Sequence, residues 1–182
     1  MSQFRLNVAM VAATIVLFLM TLSLNEMIFT RLEFARGINW IYLPAGVRLL
    51  STLLFGGAGA VGLLIVSWLV CFFYFFPDDY VRSFMGGILA AAAPYLVYRL
   101  AEYFFGLHAS LANLTPKRLL ICILGYAFAS PFFHHIWFFV HGDTQDFFSD
   151  FFVMFVGDLF GSLIVVYAIK GLLSVHRTHF AR

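Results

Sequence analysis

Charge is scarce in this chain. Asp, Glu, Lys and Arg make up 11% of the 182 residues and hydrophobic residues 63%, whereas an ordinary soluble domain carries about 25% charged residues. A soluble protein of this length cannot bury so much apolar surface. A lipid bilayer can, so the sequence reads as an all-α, polytopic membrane protein. Neither sign of charge dominates. A net charge of +2, with no basic arm and no aromatic-interleaved basic patch, gives no footing for a nucleic-acid partner. Cysteine is limited to Cys71 and Cys122, which lie in apolar runs without metal-ligand spacing and read as packing residues. Catalytic signatures are missing as well. There is no nucleophile elbow, no HExxH, no phosphate loop and no series of intramembrane carboxylates, so no enzymatic activity of its own is expected.

What is present is a succession of six apolar segments, at about 7–29, 38–56, 59–76, 84–106, 118–140 and 147–173. Each approaches the ~20 residues a helix needs to cross the hydrocarbon core. The first is too long for a signal-peptide core and lacks a small-x-small cleavage site, so it reads as a retained helix. The second and third are the shortest, and the uncharged "GGAG" at 56–59 makes them a close helical hairpin. The expectation is six transmembrane helices in a single integral domain, 1–182. With the N-terminus in the cytoplasm, Arg5, Lys117, Arg118, Lys170, Arg177 and Arg182 fall inside, and Arg31, Arg36 and Arg82 fall outside with the acidic "FPDDY" and "HGDTQD". The bias favours both termini in the cytoplasm and a multi-pass protein of the bacterial inner membrane. Trp40, Tyr42, Tyr80, Tyr103 and Trp137 stand near predicted ends, as an aromatic belt would. The Phe-rich "CFFYFF" and "DFFSDFFVMF" read as lipid-facing surface.

Against that background a few polar residues require an account. Arg48 lies about ten residues into the second segment, where an arginine costs ~2.5–3.5 kcal/mol on insertion scales. Either it snorkels outward or it has a buried partner. The best partner is Asp158, about 16 Å into the last segment at 1.5 Å per residue, too deep for a carboxylate to reach water. Gly157 and Gly161 flank it with the small-xxx-small spacing that lets helices approach closely. Pro44 and Gly46, in "LPAG", have two readings. Pro44 is the first-turn proline of an ordinary helix, or the segment is broken there and the start of a half-helix points into the protein, with Arg48 one turn on, as an anion site. Pro94 is expected to kink the fourth segment. Arg99 and Glu102 have the spacing of a helix-surface ion pair. His134, His135 and His141 are weak metal or haem candidates. They lack the i,i+4 spacing, and no second deep histidine exists, so interfacial histidines are the simpler account and no cofactor is expected.

Two of these stretches, "LPAGVRLLSTLLFGGAGAVGLLI" and "FVGDLFGSLIVVYAIKGLL", resemble a known family. It is the first type of membrane-associated sensor domain, found at the N-terminus of many bacterial diguanylate cyclases and histidine kinases. Pro44, Ala45, Gly46 and Gly56 match its helix start and glycine end, and Gly157, Asp158 and Gly161 match its "GD-x-x-G" motif. Arg48 is not part of the pattern. The chain is shorter than such domains and carries no kinase or cyclase domain. The resemblance therefore implies a sensor-like protein that binds a small ligand or a partner membrane protein through the Pro44–Arg48 and Asp158 region, with any sensory role passing through a separate membrane partner or a homo-oligomer. Two other functions fit the composition. One is a substrate-binding membrane subunit of a transporter. The other is an accessory subunit of a larger membrane complex with the histidines at a cofactor.

Overall fold

The computed structural model describes residues 2–108, 114–141 and 146–180, with side chains as far as residue 173 in the last helix. Most of the expected loop "HGDTQD", including Thr144, and the side chains of the tail from residue 174 lie outside the described residues.

The first helix, α1 (Gln3–Phe29), buries one narrow stripe, Thr14, Phe18, Leu22 and Asn25. That spacing of four, four and three keeps the residues on one face. The rest of the helix, including Val16, Met20 and Met27, is exposed apolar surface suited to lipid. A short 3-10 turn leads into a two-stranded ribbon, β1 (Glu33–Ala35) and β2 (Ile38–Asn39), closed by Gly37 at φ 81°. The chain then re-enters the protein. Helix α2 (Pro44–Phe55) is 12 residues long, about 18 Å at 1.5 Å per residue. Gly56, at φ 54° and ψ −127°, turns it directly into α3 (Gly57–Val70), which continues through a wider turn, Cys71–Phe75. The positive φ explains a glycine at this point. The hairpin is as tight as expected, because a Cβ on Gly59 would overlap the carbonyl of Ser51.

Helices α4 (Tyr80–Phe105), α5 (Pro116–His141) and α6 (Phe147–Phe180) complete the chain. Asp79 caps α4, accepting from the Arg82 amide at 2.9 Å, and Gly106 ends it in the left-handed conformation. Asp146 caps α6 through the amide and hydroxyl of Ser149, and these hydrogen bonds hold its carboxyl below the usual range. Helix α4 runs on through Pro94, whose carbonyl accepts from Thr52 Oγ1 of α2 at 3.2 Å.

Five helices are long and apolar enough to cross a membrane: α1, α3 with its continuation, α4, α5 and α6. They neighbour one another in the order α1, α3, α4, α5, α6, and α2 touches all five. The short helix is therefore the centre of the bundle, and every residue from Pro44 to Leu53 is buried. The chain is a helical multi-pass membrane protein, with one correction to the expected six spanning helices. The second crossing is not one continuous helix but a non-helical stretch, residues 38–43, that begins as strand β2 and bends into α2. Because α1 runs toward the ribbon and α6 runs away from it, both described ends of the chain lie at the end of the bundle opposite the ribbon.

The interface readings hold in part. Trp40, Tyr80 and Tyr103 are exposed, but Tyr42 is buried. The Phe-rich runs divide between two environments. Phe73, Phe148 and Phe152 are exposed, Phe75 is buried, and Phe147 and Phe151 pack on the His135 ring.

Candidate functional site

The break in the second crossing is stabilised by two neighbouring helices, α1 and α6. Non-helical backbone at membrane depth must satisfy its amides and carbonyls within the protein. The Tyr42 amide donates to the Gly157 carbonyl of α6 at 3.1 Å, and the Leu43 amide donates to Asn25 Oδ1 of α1 at 2.8 Å. Pro44 has no N–H to satisfy. Close approach to α6 depends on Gly157 and Gly161, since a Cβ at the first would overlap the Asn39 carbonyl and at the second the Tyr42 carbonyl. The two glycines thus admit non-helical backbone, where the sequence suggested a second helix. Gly46 continues the seam one turn further, where an added Cβ would stand 2.6 Å from Val165 Cβ.

Both readings of Pro44 contain a true element. It is the first residue of its helix, and that helix starts inside the protein. The amides at the start of α2 are nevertheless taken. Ala45 donates to the Tyr42 carbonyl and Gly46 to the Leu43 carbonyl, both at 3.1 Å, so the helix end offers no free amides to an anion.

One turn on, Arg48 is only 6% exposed and Asp158 1%. Snorkelling to the lipid interface does not fit a side chain buried this far on a helix whose residues Pro44 to Leu53 are all buried. The guanidinium carbon lies 5.2 Å from the Phe18 ring centroid and 5.3 Å from that of Tyr42, a cation–π clamp from two sides. The expected ion pair with Asp158 is not formed. Among the described residues the salt bridge within 4.0 Å is Arg99–Glu102, at 3.3 Å, on the helix surface as its spacing suggested. Arg48 and Asp158 instead line the same cavity. Arg48 Nε and Asp158 Oδ2 are buried without a hydrogen-bond partner among the described residues. Tyr126 and Ser130 of α5 stand beside them, Tyr126 toward Arg48 and Ser130 toward Asp158, with both hydroxyls short of full hydrogen-bond geometry. Buried polar groups in folded proteins are nearly always partnered, by protein, water or ligand.

The cavity has an internal volume of about 70 Å³, narrow beside small-molecule pockets of roughly 300–1,000 Å³. Its inner end holds Tyr42, Arg48, Cys71 and Asp158, and its sides are largely apolar. Arg36 and Arg82 stand where it continues to the ribbon end, facing an outer recess that Asp146 and Asp150 also line. Arg36 donates to the Tyr74 carbonyl at 2.8 Å, and the Arg82 guanidinium lies 4.2 Å from the Phe76 ring centroid.

The histidines separate. His134 reaches the cavity, His135 is buried among Phe138, Phe147 and Phe151, and His141 stacks on Trp137 with centroids 3.5 Å apart. The Nδ1 atom of each meets the carbonyl four residues back, Ser130, Pro131 and Trp137 respectively. Among the described residues no three His, Cys, Asp or Glu side chains come together as a metal site.

Sequence reasoning missed Tyr126 and Ser130, and it took His134 only as a weak metal or haem candidate. The available signal was a polar series at positions 126, 130 and 134, a spacing of four that marks one helix face. Arg36 and Arg82, placed only as outer-loop charges, also belong to the site. Comparison with protein-family models, curated proteins and solved structures finds no match for the chain.

Proposed function

We propose that this protein is a ligand-binding membrane protein of the bacterial inner membrane. It takes a small polar molecule into the cavity beneath the ribbon and carries out no reaction on it. Binding is reported to a separate membrane partner or a second copy, as a sensor-like protein does. The observation that carries the reading is Arg48 and Asp158, both buried, both facing one cavity, not paired with each other, and with Nε of the one and Oδ2 of the other left without a hydrogen bond among the described residues. Uncompensated buried charges are costly. A protein that only needed stability would do better with apolar residues in those places, so their retention supports a role that uses them. The binding reading is preferred to an enzymatic one because Ser130 Oγ has no base bonded to it, although His134 sits one turn away.

The transporter-subunit reading draws on the same cavity and on the broken second crossing, a device by which transporters place binding groups at mid-membrane. Uptake into proteoliposomes by the protein with its co-purified partners would favour that reading over the sensor-like one.

The test of binding is a density map of the protein purified in mild detergent with a rigid antibody fragment attached. Non-protein density between Arg48 and Asp158 is the expected result. A closed cavity with the two side chains directly paired would overturn the proposal.

A further inference from the structure

We infer that the cavity is shaped for a small zwitterion of the α-amino-acid type, with its carboxylate at Arg48, its ammonium at Asp158 and an apolar side chain along the cavity wall. This rests on the binding reading above and narrows it to a chemical class.

The first argument is charge balance. The cavity is lined by Arg36, Arg48, Arg82 and Asp158, and Arg36 and Arg82 also face the outer recess with Asp146 and Asp150. Cavity and recess together therefore present three cations and three carboxylates, with Arg48 and Asp158 the charged pair at the inner end, so a guest that leaves neither of these two uncompensated and keeps the balance has to be neutral overall. A simple anion would satisfy Arg48 and leave Asp158 stranded. A simple amine would do the reverse. A neutral, non-ionic guest could hydrogen-bond to both but would bring no opposite charge to either, leaving the cost of two buried charges uncompensated. A molecule with both charges a few bonds apart meets both walls at once.

The second argument is the separation of the two side chains. Arg48 is held between the rings of Phe18 and Tyr42, and Asp158 stands beside Ser130. Each is fixed by its own neighbours, and the two remain beyond 4.0 Å of one another, with Nε of the arginine and Oδ2 of the carboxylate unpartnered among the described residues. A purely structural pair would close. A pair kept open by packing is preorganised for something between its members. A guanidinium takes a carboxylate through parallel N–H donors, and a carboxylate accepts from an ammonium.

The third argument is the wall. Phe75, Leu89, Ala90, Phe138 and Met154 line the cavity toward its mouth, where the side chain of such a guest would lie. The aromatic and thioether surface suits an apolar or aromatic group.

The experiment is equilibrium binding to the purified full chain in lipid nanodiscs. The probes are the proteinogenic amino acids, then the best of them against its decarboxylated amine and its deaminated acid. The expected result is saturable binding of at least one apolar or aromatic amino acid, with both truncated analogues about tenfold or more weaker, since each forfeits a charge-assisted pair. Asp158→Asn is expected to bring the deaminated acid level with or above the amino acid. The comparison of probes on the unaltered protein needs no variant to fold. If no amino acid binds, or if either analogue binds as tightly as the amino acid, the inference falls. Arg48-dependent binding of the acid or the amine alone would overturn the zwitterion and leave the binding reading intact. A closed, directly paired cavity in the density map would overturn both.

Discussion

The amide of Tyr42 donates to the carbonyl of Gly157 at 3.1 Å, so a helix in mid-span accepts a hydrogen bond from backbone that belongs to no helix. A regular helix spends its carbonyls on its own amides, and a neighbouring backbone reaches one only where side chains are absent. Gly157 and Gly161 supply that gap. Gly161→Leu is expected to push residues 38–43 away from α6 and lower stability by about 1–3 kcal/mol, the usual scale for overpacking, as read by thermal or denaturant unfolding in detergent. Gly171→Ala, on the same helix at a position where an added Cβ meets nothing within 4 Å among the described residues, serves as the control and should change little.

Asn25 secures the other side of the break. Its Oδ1 accepts from the Leu43 amide, and both groups are buried. Asn25→Leu removes the acceptor and leaves a buried N–H unsatisfied, a cost of about 1–3 kcal/mol. A variant as stable as the parent would show that another group takes up the Leu43 amide.

Arg48 and Asp158 can be tested as a pair without any ligand. In a directly bonded buried pair, removing one member typically costs 3–5 kcal/mol and the double replacement much less. Here the two are not in contact, so a double-mutant cycle with Arg48→Leu and Asp158→Leu is expected to give a coupling energy below about 1 kcal/mol in ligand-free protein. Coupling of several kcal/mol would mean that the ligand-free protein closes the pair.

The orientation of the bundle is a separate expectation. With Cys71 and Cys122 replaced, a cysteine at Asp78 should react with an impermeant thiol reagent added from the periplasm. A cysteine at Lys117 should react only after the membrane is opened. The reverse pattern would invert the reading drawn from the lysine and arginine distribution.

The sequence by itself determined the class and most of the elements. Apolar runs of spanning length cannot be accommodated in water, and their limits fall within a few residues of α1, α3, α4 and α5. Helix α6 agrees at its start and runs on beyond the expected 173. It also marked Arg48 and Asp158 as the two charges needing an explanation, because a charge at membrane depth is costly wherever it sits. The tertiary structure alone decided which helix is central. Composition along a chain says how apolar a segment is, but a helix among other helices and a helix among lipid tails meet nearly the same polarity, so the sequence could not tell that α2 is wrapped by all the others. For the same reason the glycines of α6 could be read as a helix-packing motif when they accommodate non-helical backbone, because a missing side chain shows that something comes close and not what it is. The separation of Arg48 from Asp158 was beyond sequence as well. It is set by the rings of Phe18 and Tyr42, one from α1 and one from the non-helical stretch, which only the folded chain brings to the same guanidinium.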